Sequence, residues 1–280
     1  MPDLYAVIGN PVAHSKSPLI HGEFARETAQ DLSYGARLAP LDAFEIEVQR
    51  FRAAGGRGLN VTLPFKHRAF DLAQKRTVRA EQALAVNTLV FEADSIYGDN
   101  TDGVGLVRDL TMNLRCVLRG RRVLLMGAVG ASYGVCGPLL AEAPAKLVVA
   151  NRTLDKAVEL CRHFRGFHPN SPALSHARYE ALAGERFDLV INATSAGLSA
   201  AMPALPRDVF AADALAYDMV YGTVTPFMAF AESEGATTAD GLGMLVEQAA
   251  ESFHVWRGVR PDTAPVIAHL RAMEPPLSAC

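Results

Sequence analysis

Short apolar runs of strand length alternate along this chain with stretches in which apolar residues recur at helical spacing. That is the pattern of βα units built around a largely parallel sheet. Residues 5–8 read as a strand, 18–29 as a helix, and 41–54 as a second helix with Leu41, Phe44, Val48 and Phe51 on one face. Gly55-Gly56 stops it. Residues 58–63 form a predicted strand closed by Pro64, 69–74 lie in a helix, 83–92 and 96–98 read as two strands joined by a turn, and Asp102 opens a helix. After the basic turn Arg119-Gly120-Arg121-Arg122 comes a stronger βαβ unit: strand 123–126, a glycine-bearing turn over 127–134, helix 135–142 and strand 147–150. Strands at 189–192 and 215–219 complete a sheet, and 245–257 and 263–273 read as closing helices. A boundary between two α/β units is therefore predicted between residues 103 and 122.

Composition narrows the classes. The chain has 280 residues, half of them hydrophobic, enough for one large or two medium domains with an ample core. Lys and Arg total 27 against 30 Asp and Glu, so no general basic field exists to hold nucleic acid or an anionic membrane. Any anionic ligand must be gripped locally. Cys116, Cys136, Cys161 and Cys280 are scattered without C-x-x-C spacing, which is not a disulfide scaffold. The N-terminus runs straight into a strand without a basic leader, and no apolar run reaches transmembrane length, so a cytoplasmic location is expected.

Two regions hold candidate chemistry. Gly127-Ala128-Val129-Gly130-Ala131 lies between a strand and a helix, where exposed N–H groups and the helix dipole suit a dinucleotide pyrophosphate. The next strand ends in Asn151-Arg152-Thr153, followed by Lys156, where an NAD-specific fold would place an acidic residue. Cations there favour the 2′-phosphate of NADP, and Arg152 and Lys156 are spaced to share the first turn of a helix. A tight turn without a ligand and two solvated cations are the bland alternatives.

The other region is N-terminal. Ser15-Lys16-Ser17-Pro18 precedes a helix and offers hydroxyls to a carboxylate, or else simple capping by Ser17. Lys66 follows a strand end close to a helix N-terminus, where a cation is disfavoured, or else is an ordinary surface lysine. Asp102, in Asp99-Asn100-Thr101-Asp102-Gly103, is either a catalytic carboxylate or a plain N-cap.

Gly9-Asn10-Pro11, His14 through Pro18, Asn60-Val61-Thr62, Pro64-Phe65-Lys66, Val86-Asn87-Thr88, Gly98 through Gly103, Asn151-Arg152-Thr153, Asn192-Ala193-Thr194, Tyr217-Asp218-Met219, Thr225-Pro226-Phe227 and Asp240 through Leu245 with Gln248 follow one another along nearly the whole chain. In that order they resemble the motifs of the shikimate dehydrogenase family, which includes shikimate/quinate enzymes. The resemblance implies an N-terminal α/β substrate domain with a mostly parallel sheet over residues 1–103, joined by C-terminal helices from about 245 to 280. It also implies a Rossmann-type NADP-binding domain over 104–244, with a cleft between the two. The implied reaction is the reversible NADPH-dependent reduction of 3-dehydroshikimate to shikimate in aromatic amino-acid (chorismate) biosynthesis. Implied roles are Ser15 and Ser17 on the substrate carboxylate, with Asn60, Thr62, Asn87, Asp102, Tyr221 and Gln248 around the ring hydroxyls. Lys66 and Asp102 would be the catalytic pair, and Asn151, Arg152, Thr153, Met219 and Gly241 would touch NADP.

The residue types suit that chemistry, because oxidising a secondary alcohol needs hydride transfer from carbon and removal of the hydroxyl proton, which a Lys–Asp pair can share. No metal is expected: the eight histidines lack H-x-x-x-H spacing, and His14, His67 and Trp256 read as structural. Partners are expected to be small molecules only, with no nucleic acid or membrane and a monomer or homodimer as the unit.

The chain departs from the family pattern in its second half. Val129 and Tyr133 stand where the family's turn has a glycine and a basic residue, and Lys156 stands where it often has arginine. The loop Gly222-Thr223-Val224 is one residue short, which bears on Tyr221. A glycine in place of Val129 would tolerate positive φ and close approach of the backbone, so a weakened cofactor half is expected. Competing readings are a quinate/shikimate enzyme with broader substrate or NAD use, and a shikimate-binding protein with impaired NADP binding.

Overall fold

The computed structural model describes residues 1–169, 173–194 and 205–273. The chain divides into two units, one of residues 1–105 and 245–269, the other of residues 106–244 with the segment that begins at Leu270. The first unit strings together β1 (Asp3–Gly9), α1 (Ser17–Glu27), β2 (Leu32–Leu38), α2 (Phe44–Ala53), β3 (Gly56–Val61), α3 (Lys66–Leu72), β4 (Lys75–Arg76), α4 (Val78–Ala83), β5 (Thr88–Phe91) and β6 (Ile96–Asp99). The chain leaves it through α5 (Asp102–Arg108). Strand order is β2-β1-β3-β5-β6-β4, and β1 runs parallel to both neighbours while β5 runs antiparallel to both of its own. Tyr5, Ala6, Val7 and Ile8 are all buried, as a strand covered on both faces requires. Phe44, Val48 and Phe51 of α2 close the core over Ile8, Leu59 and Val61.

Several predicted boundaries shift. Leu41 is not on the buried face of α2: the Ala43 N–H bonds to Pro40 O at 3.1 Å, a turn that leaves Leu41 63% exposed and starts the helix at Phe44. α3 begins at Lys66, and residues 83–87, expected as strand, finish α4 and turn through Leu84 at φ 51°. Thr77 caps α4 through its Oγ1, which accepts from Ala80 N at 3.1 Å.

A buried histidine sits in this unit. His21 on α1 stacks on Tyr34 at 4.2 Å between ring centroids, and neither ring nitrogen has a hydrogen-bond partner among the described residues. Burial pushes its pKa down from 6.5 to about 3, the neighbouring Asn60 amide acting in the opposite direction. The folded state thus binds fewer protons than the unfolded state between those values. Stability should be complete above pH 6.5 and fall toward pH 3, by about 2 kcal/mol at pH 5. Denaturant melts at pH 7 and pH 5 check this: His21→Phe, which keeps the stacking, should lose that share of the decline. An undiminished decline in the variant would place the dependence elsewhere.

The second unit contains β7 (Arg122–Met126), α6 (Ala131–Ala141), β8 (Lys146–Ala150), α7 (Leu154–Phe167), β9 (Leu174–Ala177), β10 (Phe187–Asn192), β11 (Phe210–Asp218), α8 (Pro226–Ser233) and β12 (Thr237–Ala239). From it α9 (Leu242–Arg257) carries the chain back into the first unit, and α10 (Ala264–Met273) follows. All six strands are parallel in the order β12-β11-β10-β7-β8-β9, a doubly wound sheet whose order reverses between β7 and β10. Val123 and Leu125 face Val135, Leu139, Leu160 and Phe164 of α6 and α7, while Leu124 and Met126 face the side of α8. Cys116, Cys136 and Cys161 carry free thiols, and Cys280 lies outside the described residues. No helix among the described residues is long and apolar enough to cross a membrane.

Candidate active site

In the first unit the short loop after β3 places Lys66 as the first residue of α3. Asp102 is the first residue of α5, yet its carboxylate does not cap that helix. Asn100 Oδ1 accepts the Asp102 N–H at 3.1 Å and Thr101 O accepts the Gly105 N–H at 2.9 Å, while the Asp102 carboxylate meets side-chain partners. Lys66 Nζ donates to Asp102 Oδ2 at 2.6 Å, and Asn87 Nδ2 donates to Asp102 Oδ1 at 2.9 Å. The lysine and aspartate side chains remain 27% and 14% exposed, so the pair is sheltered but reachable. Asn87, from the turn before β5, also lies 3.2 Å from Gln248 Oε1 and 2.9 Å from Thr101 Oγ1.

The serine segment connects to the same cluster. Capping of α1 by Ser17 does not occur: Lys16 is the N-cap, Ser17 is the first helical residue, and Ser15 Oγ accepts the Ser17 N–H at 3.3 Å. Tyr34 Oη donates to Asn60 Oδ1 at 2.7 Å, and burial pushes its phenol well above its usual range although the Ser17 hydroxyl, bonded to it, opposes this. Asn60 Nδ2 reaches Asn87 O at 3.2 Å and Ser252 Oγ at 3.0 Å. Thr62 bonds through its N–H to Ile8 O, and a Cβ on Gly9 would sit 2.3 Å from its methyl group. Ser17, Asn60, Asn87, Asp102, Lys66 and Gln248 therefore share one polar cluster. Arg79 ties the cluster's scaffold together, donating to Asp99 Oδ1 at 2.6 Å and to Glu251 Oε1 on α9 at 2.8 Å.

Strand register builds the second unit's candidate site. Met126, Ala150, Asn192 and Asp218 are aligned across β8, β7, β10 and β11, so Gly127, Asn151, Ala193 and Met219 leave the sheet along one edge. Asp218 fixes its loop by accepting from Asn192 Nδ2 at 3.0 Å, Thr225 Oγ1 at 2.6 Å and Val220 N at 3.0 Å. Gly241 lies against Met219 so closely that a Cβ would meet the Met219 carbonyl oxygen at 2.3 Å. Tyr221 follows in the same loop. The helix after the glycine turn starts at Ala131, earlier than the turn's length suggests, with Gly130 as N-cap.

Two expectations about this half change. Positive φ falls on Gly127 (99°) and Gly130 (53°) and not on Val129, whose side chain is 52% exposed. Valine carries no φ penalty there, and the turn keeps glycine at its two positive-φ positions. Tyr133 packs back onto His163 of α7 at 5.5 Å between centroids. Arg152 and Lys156 do not share a helical turn: Thr153 is the N-cap of α7, so Arg152 stands before the helix and Lys156 inside its first turn. Arg178, which no motif marks, donates to Arg152 O at 3.4 Å. All three cations are exposed. The aligned loops, the N–H groups of an open turn and this cationic edge fit a dinucleotide carrying an extra phosphate.

Comparison with known proteins is consistent along the chain. Residues 7–89 match the shikimate dehydrogenase substrate binding domain, 110–201 the shikimate / quinate 5-dehydrogenase family and 241–271 the shikimate 5'-dehydrogenase C-terminal domain. A shikimate dehydrogenase (NADP(+)) of Aromatoleum aromaticum is 60% identical over 271 residues, which cover 96% of this chain and 97% of that one. The chain belongs to the shikimate dehydrogenase family. Among solved structures, an Ael1 enzyme from Pseudomonas putida superposes with a TM-score of 0.91 at 51% identity, covering 99% of this chain and all of that one. A shikimate 5-dehydrogenase from Thermus thermophilus, solved in complex with NADP(H) and shikimate, gives 0.83 at 31% identity over 96% of this chain and 99% of that one. The family resemblance and the α/β class read from the sequence hold. Tyr34, Gly105 and Ser252 join the shikimate dehydrogenase motifs through contacts that no local spacing signals.

Proposed function

We infer that this chain is an NADP-dependent shikimate dehydrogenase, catalysing the reversible reduction of 3-dehydroshikimate to shikimate in aromatic amino-acid biosynthesis. The observation that carries this reading is the Lys66–Asp102 contact of 2.6 Å, held by Asn87 in a chain of this family. Ser15 and Ser17 hold the substrate carboxylate, and Asn60, Thr62, Asn87, Tyr221 and Gln248 surround the ring hydroxyls. Lys66 and Asp102 together hold the proton that moves to the substrate oxygen during reduction and away from it during oxidation. The residues that would hold NADP are Gly127 through Ala131, Asn151, Arg152, Thr153, Lys156, Met219 and Gly241. When bound, NADP supplies or accepts the hydride. The protein works on small molecules in the cytoplasm, as a monomer or homodimer.

Arg152 should set cofactor choice, since only NADP presents a 2′-phosphate to a guanidinium. Arg152→Ala should weaken NADP about 10-fold or more by calorimetry, the loss of about 1.5–3 kcal/mol from a charged hydrogen bond, and leave NAD nearly unchanged. Equal losses for both cofactors would make Arg152 a structural residue. The reading itself is tested by incubating the protein with 3-dehydroshikimate and NADPH and identifying the product by NMR. Shikimate is expected, and unreacted 3-dehydroshikimate would overturn the assignment.

A further inference from the structure

Behind the Lys66–Asp102 pair lies a connected chain of side-chain hydrogen bonds. Tyr34 Oη donates to Asn60 Oδ1 at 2.7 Å, and Asn60 Nδ2 donates to Ser252 Oγ at 3.0 Å. Thr88 Oγ1 donates to Asn87 Oδ1 at 2.9 Å, and Asn87 Nδ2 donates to Asp102 Oδ1 at 2.9 Å. The link between the halves is the 2.7 Å contact of Ser252 Oγ with Thr88 Oγ1. Either hydroxyl can donate in this contact, since Ser252 Oγ also donates to Gln248 O and Thr88 Oγ1 to Asn87 Oδ1. Ser252 and Thr88 are both fully buried. Ser252 Oγ also lies 3.2 Å from Thr101 Oγ1 and donates to Gln248 O at 3.0 Å, one turn earlier on α9.

We propose that Ser252 is a positioning residue for the reaction: through Thr88 and Asn87 it aims an amide N–H at the Asp102 carboxylate and holds Gln248 beside it. This rests on the assignment of Lys66 and Asp102 as the catalytic pair. Were Asn87 free to turn over its amide, its carbonyl oxygen would face Asp102 and repel the carboxylate. The Thr88 hydroxyl, together with the Thr101 N–H at 2.9 Å, prevents that by occupying Asn87 Oδ1. Hydrogen bonds in a buried network also polarise one another, so the loss of the Ser252 hydroxyl is felt at Asn87.

The test is a double-mutant cycle on the intact enzyme, with Ser252→Ala and the isosteric Thr88→Val. Each single variant should lower kcat for shikimate oxidation about 10-fold while the Kd for NADP, read by calorimetry, stays put. The double variant should be no slower than the slower single variant, because both cut one relay. Thr88→Val creates no cavity and carries the test should Ser252→Ala fail to fold. A lowered Tm with kcat intact in the variants would overturn the proposal and make Ser252 purely structural, as would two losses that multiply in the double variant. An unaltered protein that does not oxidise shikimate would overturn the functional reading, and this proposal with it.

Discussion

Replacing Lys66 by alanine should lower kcat for shikimate oxidation by about 100-fold or more while leaving the fold intact. The side chain is partly open to solvent at the start of a seven-residue helix, so its removal opens no cavity. Asp102, left behind, still has the Asn87 amide at 2.9 Å and access to water. What disappears is the ammonium group 2.6 Å from the carboxylate, and with it the proton's route to the substrate oxygen. Asp102→Asn should cost a similar factor from the other side of the pair. The double variant should be little worse than either single one, since two groups that share one proton act as a unit. Steady-state kinetics at saturating shikimate and NADP check this, and near-normal turnover by Lys66→Ala would take the lysine out of the mechanism.

Gly105→Ala should destabilise the protein, although alanine in a helix interior is ordinarily favoured over glycine by about 1 kcal/mol. Gly105 lies on α5 one turn after Asp102, and a Cβ there would meet Gln248 Cβ at 2.6 Å and Gln248 N at 2.7 Å. Those atoms belong to the backbone and stem of α9, not to a flexible side-chain tip, so the helices must part. Overpacking of this kind costs about 1–3 kcal/mol, which exceeds the propensity gain. Because the displaced residue is Gln248, KM for shikimate should rise along with the loss of stability. Thermal melts and kinetics on the same variant check both effects. A stabilised Gly105→Ala enzyme with unchanged KM would mean that α5 and α9 do not touch there.

The sequence reveals what is buried on both sides and hides what is half exposed. β1 and β7 read clearly as runs of apolar residues because helices cover both faces. β2 does not, since Leu32-Ser33-Tyr34-Gly35-Ala36-Arg37-Leu38 is an edge strand with mixed burial, and its pairing with β1 is set at a distance. Missing that strand hides Tyr34, whose bond to Asn60 spans 26 positions, just as Ser252 meets Asn60 across 192. The motif residues are legible because their types and spacing carry chemistry. Their supports are not, because a buried serine looks like any other until the fold surrounds it. Val129 illustrates the opposite error: a motif position is equated with a strained backbone, but the turn places its positive φ angles at Gly127 and Gly130.

NADP-dependent oxidation of shikimate is measured by initial rates of the purified protein with each pairing of shikimate or quinate with NADP or NAD. The Lys66–Asp102 pair and the cationic edge of Arg152, Lys156 and Arg178 predict the highest kcat/KM for shikimate with NADP, and a clear drop when NAD replaces it. A protein that binds shikimate but reduces neither cofactor, or one that prefers NAD, would contradict it.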